Sequence, residues 1–302
     1  MSRRSSLLSS TVLSSVSGVF FTTLMVQAAG AGSAYDFFDR AAFANTAPSL
    51  PGPAVDGING KVDAFGGTYA HKTLYGTQGA VSIPLQGHYG AQIEGTVGSY
   101  DGKTIGAVAG HLFWRDPTKA LLGLYVSHSR WDVFDGVHAN HVAVEGEYYV
   151  GRWTLQGVVG AEFGNSTTGT VGGFIQTYDV KTRFFDQINL AYYLTDNLKT
   201  LIGHRYLGGK HQLALGGEWG FPVNARFMGA LFVEGRVGES DSSGVWGGVK
   251  LYVGQKDKSL IRRHREDDPI LWSPNTLFGI INSFSQTPVP PSGGGGGGDG
   301  EV

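Results

Sequence analysis

His128 stands between Ser127 and Ser129, so a hydroxyl nucleophile and an imidazole base adjoin in the chain. Acyl-transfer chemistry needs that pair within hydrogen-bond reach. Along a strand, residues i and i+2 share a face while adjacent residues point apart. None of the nine histidines is followed two positions later by serine. His138 and His141 could grip a metal ion together, but no third ligand stands near them and a plain polar loop fits better. Glycine is abundant, at 48 of 302 residues, yet no phosphate-cradling loop leads into a helix. Cysteine is absent, which removes thiol nucleophiles, cysteine zinc sites and disulfides. The net charge of −2 offers nucleic acid no basic patch. No catalytic, metal-binding or cofactor-binding residue is expected, and the chain does not read as an enzyme.

The charged residues that remain suit a different task. Lys61, Asp63, Glu94, Glu145, Glu147, Arg205, Glu218, Glu234, Arg236 and Lys250, with the neutral Gln156, sit at polar positions of apolar–polar alternating stretches. Glu145 and Glu147, two apart, share one face. Such groups could line a water-filled passage whose charge sets ion preference. They could equally pair across an interior and fill it, Glu234 with Lys250 for example. The slight acidic excess of the set points to cation preference.

The elements that must carry these residues are strands. Ile93, Gly95 and Val97 oppose Gln92, Glu94 and Thr96; Val142, Val144 and Tyr148 oppose His141, Glu145 and Glu147; Leu231, Val233 and Val237 oppose Glu234 and Arg236. Period-two alternation means a strand with one apolar and one polar face. From about Ile58 to Val253 it predicts about twelve strands (10–14 allowed): 58–70, 74–85, 89–100, 104–114, 120–130, 141–150, 152–163, 178–194, 198–207, 211–221, 226–238 and 243–253. Short breaks such as Asp116–Lys119 and Thr195–Asn197 alternate with a second set that includes the longer Trp131–Asn140 and Gly164–Thr177. An antiparallel up-and-down sheet with two unlike rims follows. Tyr69, Tyr100, Trp114, Trp131, Tyr148, Trp153, Tyr192 and Trp219 fall near strand ends, where aromatic rings meet a membrane–water boundary.

With these strands, the unlike rims and the last strand Trp246–Val253, the chain resembles Gram-negative outer-membrane β-barrel proteins of the porin-like group. The resemblance covers about two thirds of the chain and is architectural; no motif narrows it to one family. It implies an all-β, closed antiparallel transmembrane barrel in the outer membrane, with both termini periplasmic. Such barrels usually end at an aromatic residue; here Gly248, Leu251 and Val253 supply a similar pattern well before the end. A secreted β-sandwich or calyx is the soluble rival, since alternation alone does not tell inside from outside.

Residues 1–34 have the layout of a signal peptide: Arg3 and Arg4, an apolar stretch from Leu7 to Val26, and small residues allowing cleavage after Ala28, Ala31 or Ala34. Residues 35–57 form a proline-containing linker, 58–254 the barrel, and 255–302 a periplasmic charged segment with a flexible Pro/Gly-rich tail. Lys256–Asp268 reads as a solvated charge run, or as a docking element for peptidoglycan or a periplasmic partner. Ile270–Phe284 is apolar enough to pack against the barrel mouth. The expected function is a narrow channel for passive diffusion of ions or small hydrophilic solutes. The alternatives are a non-conducting structural or surface-interaction barrel and, more remotely, an outer-membrane enzyme or secretion translocator. Expected partners are outer-membrane lipid, the solutes and the barrel-assembly machinery, with no nucleic acid.

Overall fold

A computed structural model of the chain describes residues 52–254 and 257–290. The signal-peptide expectation and most of the linker lie outside the described residues. Twelve antiparallel strands close into one barrel. They are β1 (Asn59–Tyr69), β2 (Lys72–Pro84), β3 (Tyr89–Tyr100), β4 (Lys103–Asp116), β5 (Ala120–Trp131), β6 (Val137–Val150) and β7 (Trp153–Gly164), then β10 (Arg183–Thr195), β11 (Leu198–Leu207), β12 (Lys210–Asn224), β13 (Phe227–Gly238) and β14 (Gly244–Val253). β1 pairs with β14 from Gly60 opposite Val253 to Tyr69 opposite Gly244, so no barrel edge is left unpaired. Closure of this kind satisfies every strand's hydrogen bonds in a medium that offers none.

All twelve predicted strands are present. Two further strands, β8 (Ser166–Val171) and β9 (Phe174–Asp179), form a hairpin that fills the predicted long loop and overruns it to Asp179, so that the barrel strand expected from 178 starts at Arg183. β6 begins at Val137, so much of Trp131–Asn140 is strand and only 132–136 remains as loop.

The alternation reads outward as predicted. Ile93, Val97, Val108, Leu124, Val142, Val144, Leu231 and Val233 are exposed, while Gln92, Glu94, Thr96, His141, Glu145 and Glu147 are buried. A soluble calyx needs the reverse, with apolar side chains inside. An outward apolar band around a polar interior is the pattern of a barrel that spans a membrane with its strands. No helix among the described residues is long and apolar enough to cross one.

After β14 the chain does not trail away from the barrel. It forms α1 (Leu260–Glu266), α2 (Ser273–Asn282) and β15 (Phe284–Pro288). β15 pairs antiparallel with β9, making a small sheet in the order β15-β9-β8.

Candidate functional site

The strands converge a dense set of polar and charged side chains on the interior of the barrel. All ten sequence-predicted residues point into it. Lys61, Asp63, Glu94, Glu145, Glu147, Arg205, Glu218 and Arg236 are buried, and Glu234 and Lys250 keep 17% and 12% of their side chains exposed. The lumen is occupied by residues 258–282 of the same chain, and beside them lies a cavity of about 120 Å³.

Midway along the lumen, His111 of β4 bridges two carboxylates. Its Nε2 lies 2.7 Å from Glu94 Oε1 and its Nδ1 2.9 Å from Glu145 Oε1. The same two glutamates receive the C-terminal segment: the Trp272 indole N–H donates to Glu145 Oε2 at 3.0 Å, and the Ser273 backbone N–H to Glu94 Oε2 at 2.9 Å. Ser273 is the first residue of α2, so Glu94 takes up one of the helix's orphan amides. The predicted Glu145 and Glu147 are split between tasks, for Glu147 accepts from the Tyr149 hydroxyl at 2.9 Å.

On the opposite wall, Glu218 gathers Lys199 at 3.3 Å, Lys250 at 3.5 Å and the Tyr252 hydroxyl. Above it Glu234 pairs with Arg236 at 2.8 Å and with Arg205 at 3.5 Å. The expected Glu234–Lys250 bridge is therefore corrected. Arg236 lies two residues along the same strand face, and Lys250 is taken by Glu218. Arg236 also donates to Asn275 of α2 and lies over Trp246 and Phe278.

Towards the rim with the longer loops the contacts turn apolar. Leu277, Phe278, Ile280 and Ile281 of α2 pack with Tyr69, Leu74, Tyr100, Ile105, Trp131, Val137 and Trp246. Each such side chain, fully buried, contributes roughly 1.5–3 kcal/mol. Here the backbones come close. A Cβ on Gly279 would fall 2.3 Å from Glu162 Oε2, and one on Gly208, which has φ +60°, 2.2 Å from the Gly279 carbonyl. Asn282 fixes the end of α2, accepting from the Tyr69 hydroxyl at 2.6 Å and donating to the Leu207 carbonyl at 3.0 Å. In β9, the Tyr178 ring lies between Trp131 and Phe284. Burial, reinforced by Asp101, pushes its hydroxyl up to about 12, so the ring stays neutral.

At the other rim the contacts are charged. Lys258 reaches Asp56 at 3.0 Å, Glu266 at 3.2 Å and Asp267 at 2.6 Å. Arg265 donates to the Trp153 carbonyl at 2.9 Å and stacks over Tyr149. His264 lies 2.7 Å from the Tyr193 hydroxyl and 2.8 Å from that of Tyr252. Residues 52–57 join this closure: Ala54 and Val55 pack on Phe113 and Leu121, and the Asp56 N–H donates to the Glu266 carbonyl at 3.0 Å. Lys258–Asp268 is thus an internal element. This corrects the expectation of a solvated charge run: Lys258 and residues 263–268 are buried in the mouth, where Lys258 is paired with carboxylates. Ile270–Phe284, expected to pack against the barrel mouth, instead runs inside the barrel from mid-lumen to the long-loop rim.

Several interior residues had no signal in linear spacing. Lys199, Arg115, His111, Glu162 and the Trp272 anchor fall in this group, while the alternation places His141 on the polar face without a partner. Most notable is Ser127 Oγ, 3.2 Å from His141 Nδ1, whose Nε2 lies 3.1 Å from Glu162 Oε2. These three come from neighbouring strands β5, β6 and β7, so a search along one strand misses them. A serine–histidine–carboxylate series needs a substrate path and oxyanion donors to be catalytic. All three are buried, Glu162 is held by Arg183 at 3.3 Å, and α2 packs against that glutamate. His138 and His141 do not combine, because three positions apart they point to opposite faces. Among the described residues no group of three or more His, Asp or Glu could hold a metal ion.

Fold and interior together define a transmembrane β-barrel of outer-membrane type, closed by its own C-terminal segment. No protein-family model matches the chain, and no characterised protein is significantly similar in sequence. Solved structures share the barrel. An outer membrane channel from Pseudomonas putida F1 matches at 10% identity and TM-score 0.48, over 70% of this chain and 99% of that one. The KdgM porin matches at 7% and 0.43, over 64% and 98%. The outer membrane phospholipase of Salmonella typhi matches at 12% and 0.41, over 72% and 96%.

Proposed function

We propose that the protein is an outer-membrane channel for ions and small hydrophilic solutes, held shut by residues 258–282. The observation that carries this reading is the wall behind the plug. From the short-turn rim to mid-lumen it is lined by charged and amide side chains rather than by an apolar core. Asn189 and Gln187 are buried with side chains that make no hydrogen bond among the described residues. A permanently filled barrel would be expected to satisfy such groups or replace them with apolar ones. A wall that meets water when the plug withdraws has no such need. The strand count fits, since eight-stranded barrels are filled by wall side chains and sixteen-stranded ones hold open channels.

The exposed apolar band takes outer-membrane lipid as its partner, and assembly machinery is needed to close β1 on β14. Selectivity is expected to be weak. Asp63, Glu94, Glu145, Glu147, Glu162, Glu218 and Glu234 face Lys61, Arg115, Arg183, Lys199, Arg205, Arg236 and Lys250, a balance that removes the cation preference the shorter sequence list suggested. The test is liposome swelling with small sugars, plus the reversal potential under a salt gradient, for a chain stopped after Gly254. Folding is checked first by the heat-dependent gel shift. Sugar entry with a reversal potential near zero supports the channel. A folded, stopped chain that admits neither sugar nor ions overturns it.

A further inference from the structure

The C-terminal segment enters the barrel at one rim and leaves at the other. Its path is fixed by contacts at every stage. β14 ends at Val253, opposite Gly60, at the rim of the short turns. At that rim the Leu260 N–H donates to Asn197 Oδ1 at 2.9 Å and the Ile261 N–H to the Asp196 carbonyl at 3.0 Å, both in the turn between β10 and β11. Midway, Pro269 accepts from Lys61 and Trp272 meets Glu145. At the far end Asn282 bonds Leu207, the last residue of β11 before the opposite turn. β15 then pairs with β9, from Phe284 opposite Tyr178 to Pro288 opposite Phe174. β9 belongs to the long connection between β7 and β10, the largest loop of that opposite rim. The Val289 N–H adds a bond to the Gly173 carbonyl, at the tip of the hairpin, at 2.9 Å.

We infer that the chain passes through its own barrel and displays β15 outside the cell: the segment 284–290 emerges on the long-loop side, opposite the rim where the barrel's strands begin and end. In outer-membrane barrels the short turns face the periplasm and the longer loops face outward. Phe284–Pro288 and the residues that follow to Pro290 are therefore presented to the exterior rather than to the periplasm. The β15-β9-β8 sheet is the clasp. It converts a segment that could slide in the lumen into one whose exit is tied by backbone hydrogen bonds. This reading does not depend on conduction. A barrel that never opens would display β15 equally well.

The chain has no cysteine, so single cysteines report topology cleanly. Three variants suffice in whole cells treated with a membrane-impermeant maleimide: Thr287→Cys on the exposed β15, Asp135→Cys in the loop between β5 and β6 at the long-loop rim, and Lys119→Cys in a short turn. Val289→Cys provides a second site on the exiting chain. Thr287→Cys and Val289→Cys are expected to label in intact cells to the same extent as Asp135→Cys, while Lys119→Cys labels only after the outer membrane is permeabilised. If the two tail positions instead follow Lys119→Cys, the display reading is overturned, whatever the conductance of the barrel.

Discussion

The two halves of the lumen hold the same segment by different means. Near the short turns, α1 and the residues after it are tied by Lys258, Asp56, Glu266 and Asp267, by Arg265, and by the hydroxyls around His264. Near the long loops, α2 is wedged by Leu277, Phe278, Ile280 and Ile281 against a ring of aromatic wall residues. Buried ion pairs contribute little net stability, because desolvation offsets most of their attraction. Apolar packing contributes directly and is insensitive to salt. The packed half should therefore carry most of the affinity, while the charged half sets register and orientation. A plug built this way can loosen at its charged end without leaving the barrel.

The largest break in that contrast is expected from Phe278→Ala. Removing a buried aromatic costs about 3–5 kcal/mol, enough to let α2 leave its seat. Hydrogen exchange across 273–282 should rise steeply while the strands stay protected. Next comes Glu94→Ala, which strips a partner from the amides of Trp272 and Ser273 and from His111. Leaving buried donors unpaired costs roughly 1–3 kcal/mol, so exchange at the start of α2 should increase and that at its end should not. Raising salt from 0.1 to 1 M shortens the screening length from about 10 to about 3 Å. Because buried pairs are screened much less than exposed ones, only a small rise in exchange is expected in 258–268, with 277–282 unchanged; a uniform response along the segment would erase the distinction drawn here. The smallest effect belongs to Lys72→Ala, which breaks an exposed pair with Asp101 at 3.1 Å. Such pairs contribute at most about 1 kcal/mol, and the heat-dependent gel shift should not move.

The wall was legible in the sequence and the plug was not. Strands such as Tyr89–Tyr100 announce themselves because lipid on one side and polar groups on the other impose period two on every residue. That constraint also placed Glu94, Glu145, Glu218 and Arg236 inside. It says nothing about which inward residues meet across strands, so Ser127, His141 and Glu162 stayed scattered, and Glu234 was given the wrong partner. The C-terminal segment obeys no such period. Its charges in Lys258–Asp268 look like a solvated run because solvation and internal pairing demand the same residue types. Only Ile270–Phe284 carried a hint, an apolar stretch too short for a membrane helix yet in need of cover. The glycines at 208 and 279, whose absent side chains let α2 approach the wall, were indistinguishable from the many others until the backbones met.

The central claim is that this segment, and not the wall, closes the barrel. Single-channel recording of the folded full-length protein beside a folded chain stopped after Gly254 tests it most directly. The account predicts a silent full-length protein, or one with rare brief openings, and steady discrete steps from the shortened chain. Equal conductance from the two, or none from the shortened chain, would contradict it.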